Sequence, residues 1–375
     1  MDRNGANAEF VRESDERKEV TYVDNVADAP SIAADRLGDP LISLESAAAI
    51  RDGKVDFGTL PNIDLSIVTF NSAADLPDFF ESLVGQEYPL EKIGLYVTRH
   101  SSDEEEGWII DEFAERHGCR FREVSVGGQD NLGFGAGHNR NFHLSGAGYF
   151  VISNVDIEFY SDSLVKLVQF ALFASSNCAA VEARQFPFEH PKFYNPATFE
   201  TSWVVCCLSL FDRRAFAEVG GFDPILFMYG EDVDLSARLR ADGYRLAFNP
   251  YSQVHHKIGD GRDARLMAIG AIEAKLLMKL AASPLGLLGL ASPRNLRSLR
   301  GYLSLRGRRG ALRRLAAISR RGMSRFWRRW RRGLPRIAVP WNGLDIEWRR
   351  PFSITFEELE LRRRSLELRV TVSIL

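Results

Sequence analysis

Segments with the character of β-strands alternate with segments of helical character from residue 65 to residue 248 of this 375-residue chain. Alternation of this kind is typical of an α/β fold in which helices cover both faces of a mostly parallel sheet. Ligands of such sheets bind beyond the carboxyl ends of the strands, so side chains that follow a strand are the first candidates for a site. The predicted strands are 65–70, 93–98, 121–126, 149–153, 178–183, 203–211 and 245–248, and the predicted helices are 74–84, 107–117, 131–145, 161–174, 213–219 and 232–242.

Four carboxylates fall within twelve residues, behind a pair of glycines. They are Asp223, Glu231, Asp232 and Asp234, and the bulky run 227–229 comes just before the last three. The helix dipole stabilises acidic residues in a first turn, which explains one or two of them. Paired carboxylates beside buried aromatic side chains are also a common source of a general base. The segment is therefore a candidate catalytic site.

A glycine-rich segment follows the strand predicted at 121–126. Gly133, Gly135 and Gly137 stand at alternate positions, where glycine lets the backbone approach a ligand closely and adopt positive φ. A helix that begins near Gly137 would point free N–H groups at an anion. The third glycine of a dinucleotide-binding fingerprint is missing, because His138 occupies its place. A tight glycine turn without a ligand explains this segment equally well when it is taken alone.

An Asn-x-Asp-x-Glu sequence ends the fourth predicted strand. Asn154, Asp156 and Glu158 share one face of an extended chain, because alternate residues of a strand point the same way. Oxygen ligands at a strand end suit Mg²⁺ or Mn²⁺, above all when a substrate supplies phosphate oxygens. The other explanation is a helix N-cap, but Ser161 and Asp162 already serve the next helix.

In this order the motifs resemble those of the family 2 glycosyltransferases with the GT-A fold, and they are most similar to bacterial rhamnosyltransferase-like members. The resemblance covers residues 63–257, and the aromatic-Gly-Glu-Asp-x-Asp-Leu block is its most specific part. It implies a Rossmann-like sheet flanked by helices and an inverting transfer of a sugar from a nucleotide-diphosphate donor. The matching segments are 65–71, 131–139, 154–156, 213–223, 227–235, 238–244 and 254–256.

The resemblance also implies roles for individual residues. Asp156 and His255, or His256 if the register differs by one, are expected to hold Mg²⁺ or Mn²⁺ on the diphosphate. Asp232 is expected to act as the base on the acceptor hydroxyl, with Glu231 beside it. Donor contacts are expected from Thr69, Asn71, Thr98, Asp103, Asn131, Gly133, Gly135, Gly137, Asn139 and Asn154, and acceptor contacts from Trp203, Tyr229 and Asp234. The expected donor is dTDP-rhamnose or a UDP-sugar, and the expected acceptor is a cell-surface polysaccharide or glycolipid.

Three positions in two segments depart from the family pattern. Thr98 stands where an aspartate that contacts the nucleobase is expected, and a threonine hydroxyl binds a base edge more weakly than a carboxylate does. Cys206 and Cys207 replace a small Gly-Ala pair and narrow the expected acceptor floor. These changes favour a second hypothesis, in which a catalytically weak or inactive member binds nucleotide sugars as a membrane-associated scaffold.

Basic residues are concentrated in one segment near the C-terminus. Residues 294–336 contain 16 of the 48 lysine and arginine residues of the chain and no acidic residue. Leu312, Leu315 and Trp330 recur at helical spacing between arginines, which predicts a basic amphipathic helix. Such a helix suits the surface of an anionic membrane, but packing on the acidic remainder of the chain explains it equally well. No nucleic-acid-binding module accompanies the arginines, so no nucleic-acid partner is expected.

The remaining segments set the predicted domain boundaries. Residues 1–62 are predicted to form an acidic, partly disordered extension, and residues 63–258 the glycosyltransferase domain. Residues 259–336 form the helical, arginine-rich segment, and residues 337–375 are predicted to form a small β unit because apolar residues alternate there. Four cysteines without metal-binding spacing favour reduced thiols and a cytoplasmic location, peripheral on the inner face of the cell membrane if the arginine-rich helix binds lipid.

Overall fold

The computed structural model describes residues 39–332, apart from 55, 129, 188, 191–193, 196–197, 258–263, 284–301 and 303–307. The first 38 residues, the predicted C-terminal β unit and parts of the arginine-rich segment lie outside the described residues. From Pro40 onward the described residues belong to one compact unit.

Eight strands form one sheet. They are β1 (Ile63–Thr69), β2 (Ile93–Arg99), β3 (Glu123–Gly128), β4 (Tyr149–Ser153), β5 (Ile157–Phe159), β6 (Cys178–Phe186), β7 (Leu208–Asp212) and β8 (Arg245–His256). Their order across the sheet is β3-β2-β1-β4-β7-β6-β8-β5. The first four strands in this order are parallel, as predicted, and so are β6 and β8. Because β7 is antiparallel to both of its neighbours and β5 to β8, the sheet is mixed.

Helices cover both faces of the sheet, as the alternation predicted. Adjacent residues of β4 show the two faces, since Val151 belongs to one buried apolar cluster, and Phe150 and Ile152 belong to another. The helices are α1 (Leu44–Arg51), α2 (Leu76–Val84), α3 (Glu104–His117), α4 (Phe134–Leu144), α5 (Ser163–Phe173), α6 (Arg213–Glu218), α7 (Glu231–Ala241), α8 (Ala264–Ala282) and α9 (Arg308–Arg331), with short 3-10 turns at Phe57–Thr59, Leu90–Lys92 and Gly118–Arg120.

The strand predicted at 203–211 begins only at Leu208. The apolar run before it is buried, but its backbone is bound by side chains rather than by a neighbouring strand. Val204 N–H donates to Ser236 Oγ at 3.1 Å, and the N–H of the next residue donates to Glu182 Oε2 at 2.6 Å. A buried apolar run needs its amide groups satisfied, and here distant side chains satisfy them in place of a sheet ladder.

Strand β8 continues to His256, although the sequence pattern predicted its end at residue 248. The register to β6 shifts between Ala183 and Arg184, so Pro250 falls within the irregularity. Asn249 Oδ1 accepts hydrogen bonds from Tyr251 N–H at 3.0 Å and Ser252 N–H at 3.3 Å. A bulge of this kind accommodates a proline and lets the strand resume, which brings its last residues to the site described below.

Part of the predicted N-terminal extension is ordered on the sheet domain. Leu41 and Ile42 are each 2% exposed, and Ile50 of α1 is fully buried in the main apolar cluster. The acidic composition of residues 1–62 gave no indication that these three apolar residues pack against the core.

Helices α8 and α9 pack together and against the sheet domain. Leu277 of α8 and Ile318 of α9 are fully buried in the main apolar cluster. A side chain at Gly322 of α9 would overlap α8, so the two helices approach closely there. One face of α9 also directs arginines to carboxylates of α8 and of the sheet domain: Arg314 pairs with Glu273 of α8, Arg321 with Asp223, Arg325 with Asp223 and Asp234, and Arg329 with Asp242. No helix in the described part of the chain is long and apolar enough to cross a lipid bilayer.

Candidate active site

A cavity of about 340 Å³ opens at the edge of the sheet where the central strands end. Its lining includes residues that directly follow strands, namely Phe70 after β1, His100 after β2 and Asn154 after β4, and also Asp156 between β4 and β5. Glu231 and Asp232 enter it from the first turn of α7. This is the edge at which α/β sheets bind their ligands.

Two consecutive residues with positive φ turn the chain into α7. Tyr229 has φ 68° and Gly230 has φ 93°. The left-handed region is uncommon for a residue with a side chain and costs about 1–3 kcal/mol, so the surrounding structure must hold Tyr229 there. Phe134 N–H donates to Phe227 O at 3.0 Å, and Gly270 of α8 lies so close to the loop that it leaves no room for a Cβ. The turn presents the first residues of α7 to the cavity.

Glu231 is a buried carboxyl group in this first turn. It is 6% exposed, and its Oε2 atom has no hydrogen-bond partner among the described residues. Burial, and after it the Asp232 and Asp234 carboxylates, raises the pKa of Glu231 to about 8. The Glu231 carboxyl is therefore mostly protonated at neutral pH, because the charged form is disfavoured both by desolvation and by its neighbours.

Asp232 has a different environment from Glu231. Its side chain is partly exposed, and its Oδ1 accepts a hydrogen bond from Val233 N–H at 2.8 Å. The N-terminus of α7 carries the positive end of the helix dipole, which stabilises negative charge. Of the two adjacent carboxyl groups, Asp232 is therefore the better placed to accept a proton.

The raised pKa of Glu231 predicts that the protein loses stability as the pH rises. Its folded value of about 8 lies above the ordinary 4.5, so between these values the folded protein holds a proton that the unfolded chain releases. The stabilisation is complete below about pH 4.5 and declines towards pH 8. We expect the midpoint of thermal unfolding, measured with EDTA, to fall more steeply from about pH 5 to about pH 8 in the wild-type protein than in Glu231→Gln, which imitates the protonated form. Equal slopes would contradict the raised pKa.

Asp156 and His256 meet at the cavity. Asp156 Oδ2 lies 3.2 Å from His256 Nε2, and His256 Nδ1 lies 2.7 Å from Gln185 Oε1. Because the Gln185 oxygen can only accept a hydrogen bond, Nδ1 carries a hydrogen. In the neutral ring, Nε2 then turns a lone pair towards a carboxylate oxygen, an arrangement that a cation bound by both groups would stabilise.

The Asp156–His256 pair fits a divalent cation that is also held by a substrate. Adjacent ligands of an octahedral ion with bonds of about 2.1 Å stand about 3 Å apart, close to the separation observed here. Among the described residues, no group of three or more His, Cys, Asp or Glu side chains could hold a metal ion. The pair therefore supplies only part of a coordination shell and leaves positions for phosphate oxygens and water.

The structure brings seven of the sequence-predicted site residues together around the cavity. They come from the predicted donor, acceptor, metal and catalytic sets, and the two cysteines that depart from the family pattern lie beside them. The predicted residues that line the cavity are Asn131, Asn154, Asp156, Trp203, Tyr229, Glu231 and Asp232, and the cysteines are Cys206 and Cys207.

His256, and not His255, lies beside Asp156. Successive residues of a strand point to opposite faces, so only one of the two histidines of β8 can reach the cavity. His255 is turned towards Glu158, with 3.9 Å between Nδ1 and Oε1. Of the two histidines that the resemblance offers, His256 is the one that lies beside Asp156, and the local sequence does not show the strand register that decides this.

Thr69 and Thr98 are predicted donor contacts, but both are fully buried and bind inside the protein. Thr69 Oγ1 donates to Glu106 Oε1 at 2.6 Å, and Thr98 Oγ1 donates to Asn141 Oδ1 at 2.6 Å. Neither residue lines the cavity. Both belong to strands covered by helices, and their hydroxyls tie β1 to α3 and β2 to α4.

The glycine-rich segment serves packing in this structure. Gly133 precedes α4 with φ 99°, and a Cβ at Gly135 or Gly137 would overlap apolar side chains that face the helix. Asn139 donates to Phe222 O at 2.9 Å and accepts from Phe222 N–H at 3.0 Å. None of these residues lines the cavity, and their predicted donor contacts stay predictions.

Asn71, Asp103 and Asp234 also lie away from the cavity lining. Asn71 is exposed just after β1, and Asp103 caps the N-terminus of α3. Asp234 is fully buried between Arg238, at 2.9 Å from its Nε, and Arg325, at 2.5 Å from its Nη1. Although burial by itself would raise the pKa of Asp234, these two guanidinium groups hold it below its usual value. In this structure the carboxylate predicted to contact the acceptor is engaged in internal ion pairs.

Two histidines of the lining were not predicted. His100 follows β2 at the edge where ligands bind, so the rule that selects Asp156 would also have selected it. Burial lowers the pKa of His100, which keeps its ring neutral at physiological pH. His190 lies in a loop, with its ring centroid 5.4 Å from that of Trp203, and no periodic pattern marks it in the sequence.

Comparison with known proteins identifies relatives of part of this chain. Residues 196–270 match the family described as Glycosyl transferase family group 2. A stretch of 70 residues is 43% identical to the N-acetylglucosaminyl-diphospho-decaprenol L-rhamnosyltransferase of Mycobacterium tuberculosis, in the strains CDC 1551 / Oshkosh and ATCC 25618 / H37Rv. The match covers 18% of this chain and 23% of the rhamnosyltransferase, so it spans about a quarter of these relatives.

Solved structures resemble a larger part of the chain. The mannosyltransferase PcManGT from Pyrobaculum calidifontis, in complex with GDP-Man and Mn²⁺, aligns with a TM-score of 0.50 and 19% identity over 73% of this chain and 80% of that one. GalNAc-T7 with UDP, GalNAc and Mn²⁺ aligns with a TM-score of 0.45 and 14% identity over 57% of this chain and 48% of that one. At such identity the likeness to PcManGT concerns the fold alone. Residues 196–270 therefore resemble the family 2 glycosyltransferases, and the fold of the chain resembles the GT-A fold of enzymes such as PcManGT.

Proposed function

We propose that the protein transfers a sugar from a nucleotide-diphosphate sugar to a hydroxyl group of a glycan or glycolipid, with inversion at the anomeric carbon. The observation that carries this proposal is a single cavity lined by two kinds of acidic group. Asp156 is paired there with His256, whereas Asp232 stands at the start of α7. The first arrangement suits a cation on a diphosphate, and the second suits a base.

Asp156 and His256 would hold a divalent cation, Mg²⁺ or Mn²⁺. When bound, such an ion neutralises the negative charge that develops on a diphosphate leaving group. Gln185 fixes the ring of His256 through Nδ1, so that Nε2 faces the carboxylate. Hydrogen-bonded partners of this kind orient a ligating histidine. The solved complex of PcManGT contains Mn²⁺ and GDP-Man, which agrees with this role.

Asp232 would take the proton of the acceptor hydroxyl. The hydroxyl oxygen forms a bond to the anomeric carbon while the bond from that carbon to the diphosphate oxygen breaks, and the proton moves to Asp232. One displacement inverts the anomeric centre and needs no covalent intermediate. A sugar hydroxyl is a poor nucleophile near neutral pH, so a positioned carboxylate is required. Glu231, which keeps its own proton, does not compete for this role.

The rhamnosyltransferase relative supports dTDP-rhamnose as the first donor to test, followed by UDP-sugars. Its name describes a lipid-linked acceptor, so a glycolipid or polysaccharide of the cell envelope is the proposed acceptor class. Because the buried Thr98 hydroxyl is bound to Asn141, we propose that groups other than Thr98 recognise the nucleobase.

The histidine pair of β8 provides a matched test of the metal site. Nucleotide binding is measured by calorimetry with dTDP-, UDP- and GDP-sugars, with Mn²⁺ or with EDTA. We expect at least one donor to bind in a Mn²⁺-dependent manner, and we expect His256→Ala and Asp156→Ala to weaken that binding about 10- to 100-fold. His255→Ala is the control and should stay within about twofold, because His255 faces away from Asp156.

Three outcomes would oppose this account. If no sugar nucleotide in the panel binds, the proposed function is wrong. If His255→Ala weakens binding as much as His256→Ala does, the metal site is wrong. If donors bind but neither transfer nor hydrolysis occurs with any acceptor, the results favour a nucleotide-sugar-binding scaffold instead.

A further inference from the structure

Helix α9 carries arginines on two faces: those of one face form ion pairs within the protein, and those of the other face are exposed. The inward face directs Arg314, Arg321, Arg325 and Arg329 to carboxylates of the domain, as described above. Internal packing therefore explains this half of the helix. Internal packing does not explain the arginines on the opposite face, which the sequence alone does not distinguish from the inward ones.

The outward face of α9 is basic and aromatic. We define it as Arg309, Leu312, Arg313, Ala316, Arg320, Trp327, Arg328, Trp330 and Arg331, all of which are exposed. At 100° per residue these positions fall on one side of the helix. Trp330 is 64% exposed, Leu312 61% and Trp327 44%, which is unusual for such large apolar side chains.

The arginines of the outward face are not neutralised by the part of the protein that the structure describes. Arg309, Arg313, Arg320, Arg328 and Arg331 form no ion pair there, in contrast to the four inward arginines. The helix has 24 residues, so at 1.5 Å per residue it presents this charge over about 36 Å. A partner must therefore offer negative charge over a long, shallow surface, together with an apolar layer for two indole rings.

We propose that the outward face of α9 docks on an anionic lipid surface, with the helix lying in the plane of the interface. Arginines attract anionic headgroups, and tryptophan rings prefer the boundary between headgroups and acyl chains. Because the inward face of the same helix is bonded to the sheet domain, docking holds the domain at the surface. The proposal does not depend on the identity of the donor sugar.

The test is flotation of the full chain with vesicles of phosphatidylcholine alone and of phosphatidylcholine mixed with phosphatidylglycerol. The wild-type protein should float with the mixed vesicles only, and less so at high salt. Arg313→Gln, Arg320→Gln and Arg331→Gln together should weaken binding about 100-fold, as expected for three basic residues at the surface. Trp327→Ser with Trp330→Ser should weaken binding at least about tenfold.

A matched control removes the same charge elsewhere. Arg116, Arg120 and Arg214 are exposed on other helices and turns, and their joint replacement by Gln should change binding less than about twofold. If both triple variants lose vesicle binding equally, the proposal is wrong, because the loss would then depend on the net charge of the protein and not on the outward face of α9. The proposal also fails if the wild-type protein ignores the mixed vesicles, or if it binds duplex DNA more tightly than it binds them. Thermal unfolding of each variant should stay close to that of the wild type, because the replaced side chains are exposed and surface ion pairs such as Arg116–Glu112 and Arg214–Glu218 contribute little.

Discussion

Replacement of Asp232 by Asn should lower sugar transfer about 10²- to 10⁴-fold, the range that a general base contributes. Asparagine keeps an oxygen that can accept the hydrogen bond from Val233 N–H, so the start of α7 should stay in place. It cannot take a proton from the acceptor. We therefore expect the variant to bind the sugar nucleotide with the wild-type dissociation constant, to within about threefold, while the rate of transfer collapses.

Asp111→Asn is the matched control for this variant. Asp111 is an exposed carboxylate of α3, so its replacement removes the same charge without touching the cavity. Its transfer rate should equal that of the wild type within about twofold. Transfer at the wild-type rate in Asp232→Asn would show that Asp232 is not the base. A large loss of nucleotide affinity would show that its main contribution lies in donor binding.

Replacement of Arg325 by Met should destabilise the protein by about 3 kcal/mol, near the lower end of the range for a broken buried ion pair. Arg325 of α9 is 7% exposed and binds two carboxylates that are themselves buried, Asp223 and Asp234. Without it, each carboxylate keeps a single guanidinium partner, Arg321 and Arg238 respectively. The remaining partners limit the loss, but the buried negative charge is no longer fully compensated.

The free energy of unfolding from urea titration measures this effect, provided that the slope with urea is unchanged. Arg320→Met is the control, because Arg320 lies on the same helix, is exposed and forms no ion pair among the described residues; its effect should stay within about 0.5 kcal/mol. Arg325→Lys should fall between the two, since lysine keeps the charge but not the forked geometry. If Arg325→Met is as stable as the wild type, the ion pairs do not hold α9 on the domain.

The parallel half of the sheet was predictable because its signals are local. The run at 149–153 was predicted with the bounds that β4 has, and β2 differs from its prediction by one residue. The order of β7, β6 and β8 depends on pairing between distant segments, which no local pattern records. The run before Leu208 was predicted as a strand because it is apolar, but distant side chains satisfy its amide groups.

The site was predictable where function requires a residue type directly after a strand or at a helix start. Asp232 stands at the start of α7 and Asp156 three residues beyond the end of β4, and both line the cavity. The roles of residues inside the strands and helices were harder to predict. A side-chain oxygen of Thr98 or Asp234 can bind a ligand or another residue of the protein, and the sequence does not show which. One of the two partners of Asp234 lies 91 residues away on α9, and only the folded chain shows that Arg325 faces inwards whereas Arg320 faces outwards.

Anomalous diffraction from crystals grown with Mn²⁺ and the sugar nucleotide found in the binding panel tests the central claim most directly. The account predicts a manganese peak about 2.2 Å from both Asp156 and His256 Nε2, with diphosphate oxygens completing the shell and the sugar between the ion and Asp232. A peak at His255 and Glu158, or a nucleotide bound outside the cavity that holds Asp156 and Asp232, would contradict it.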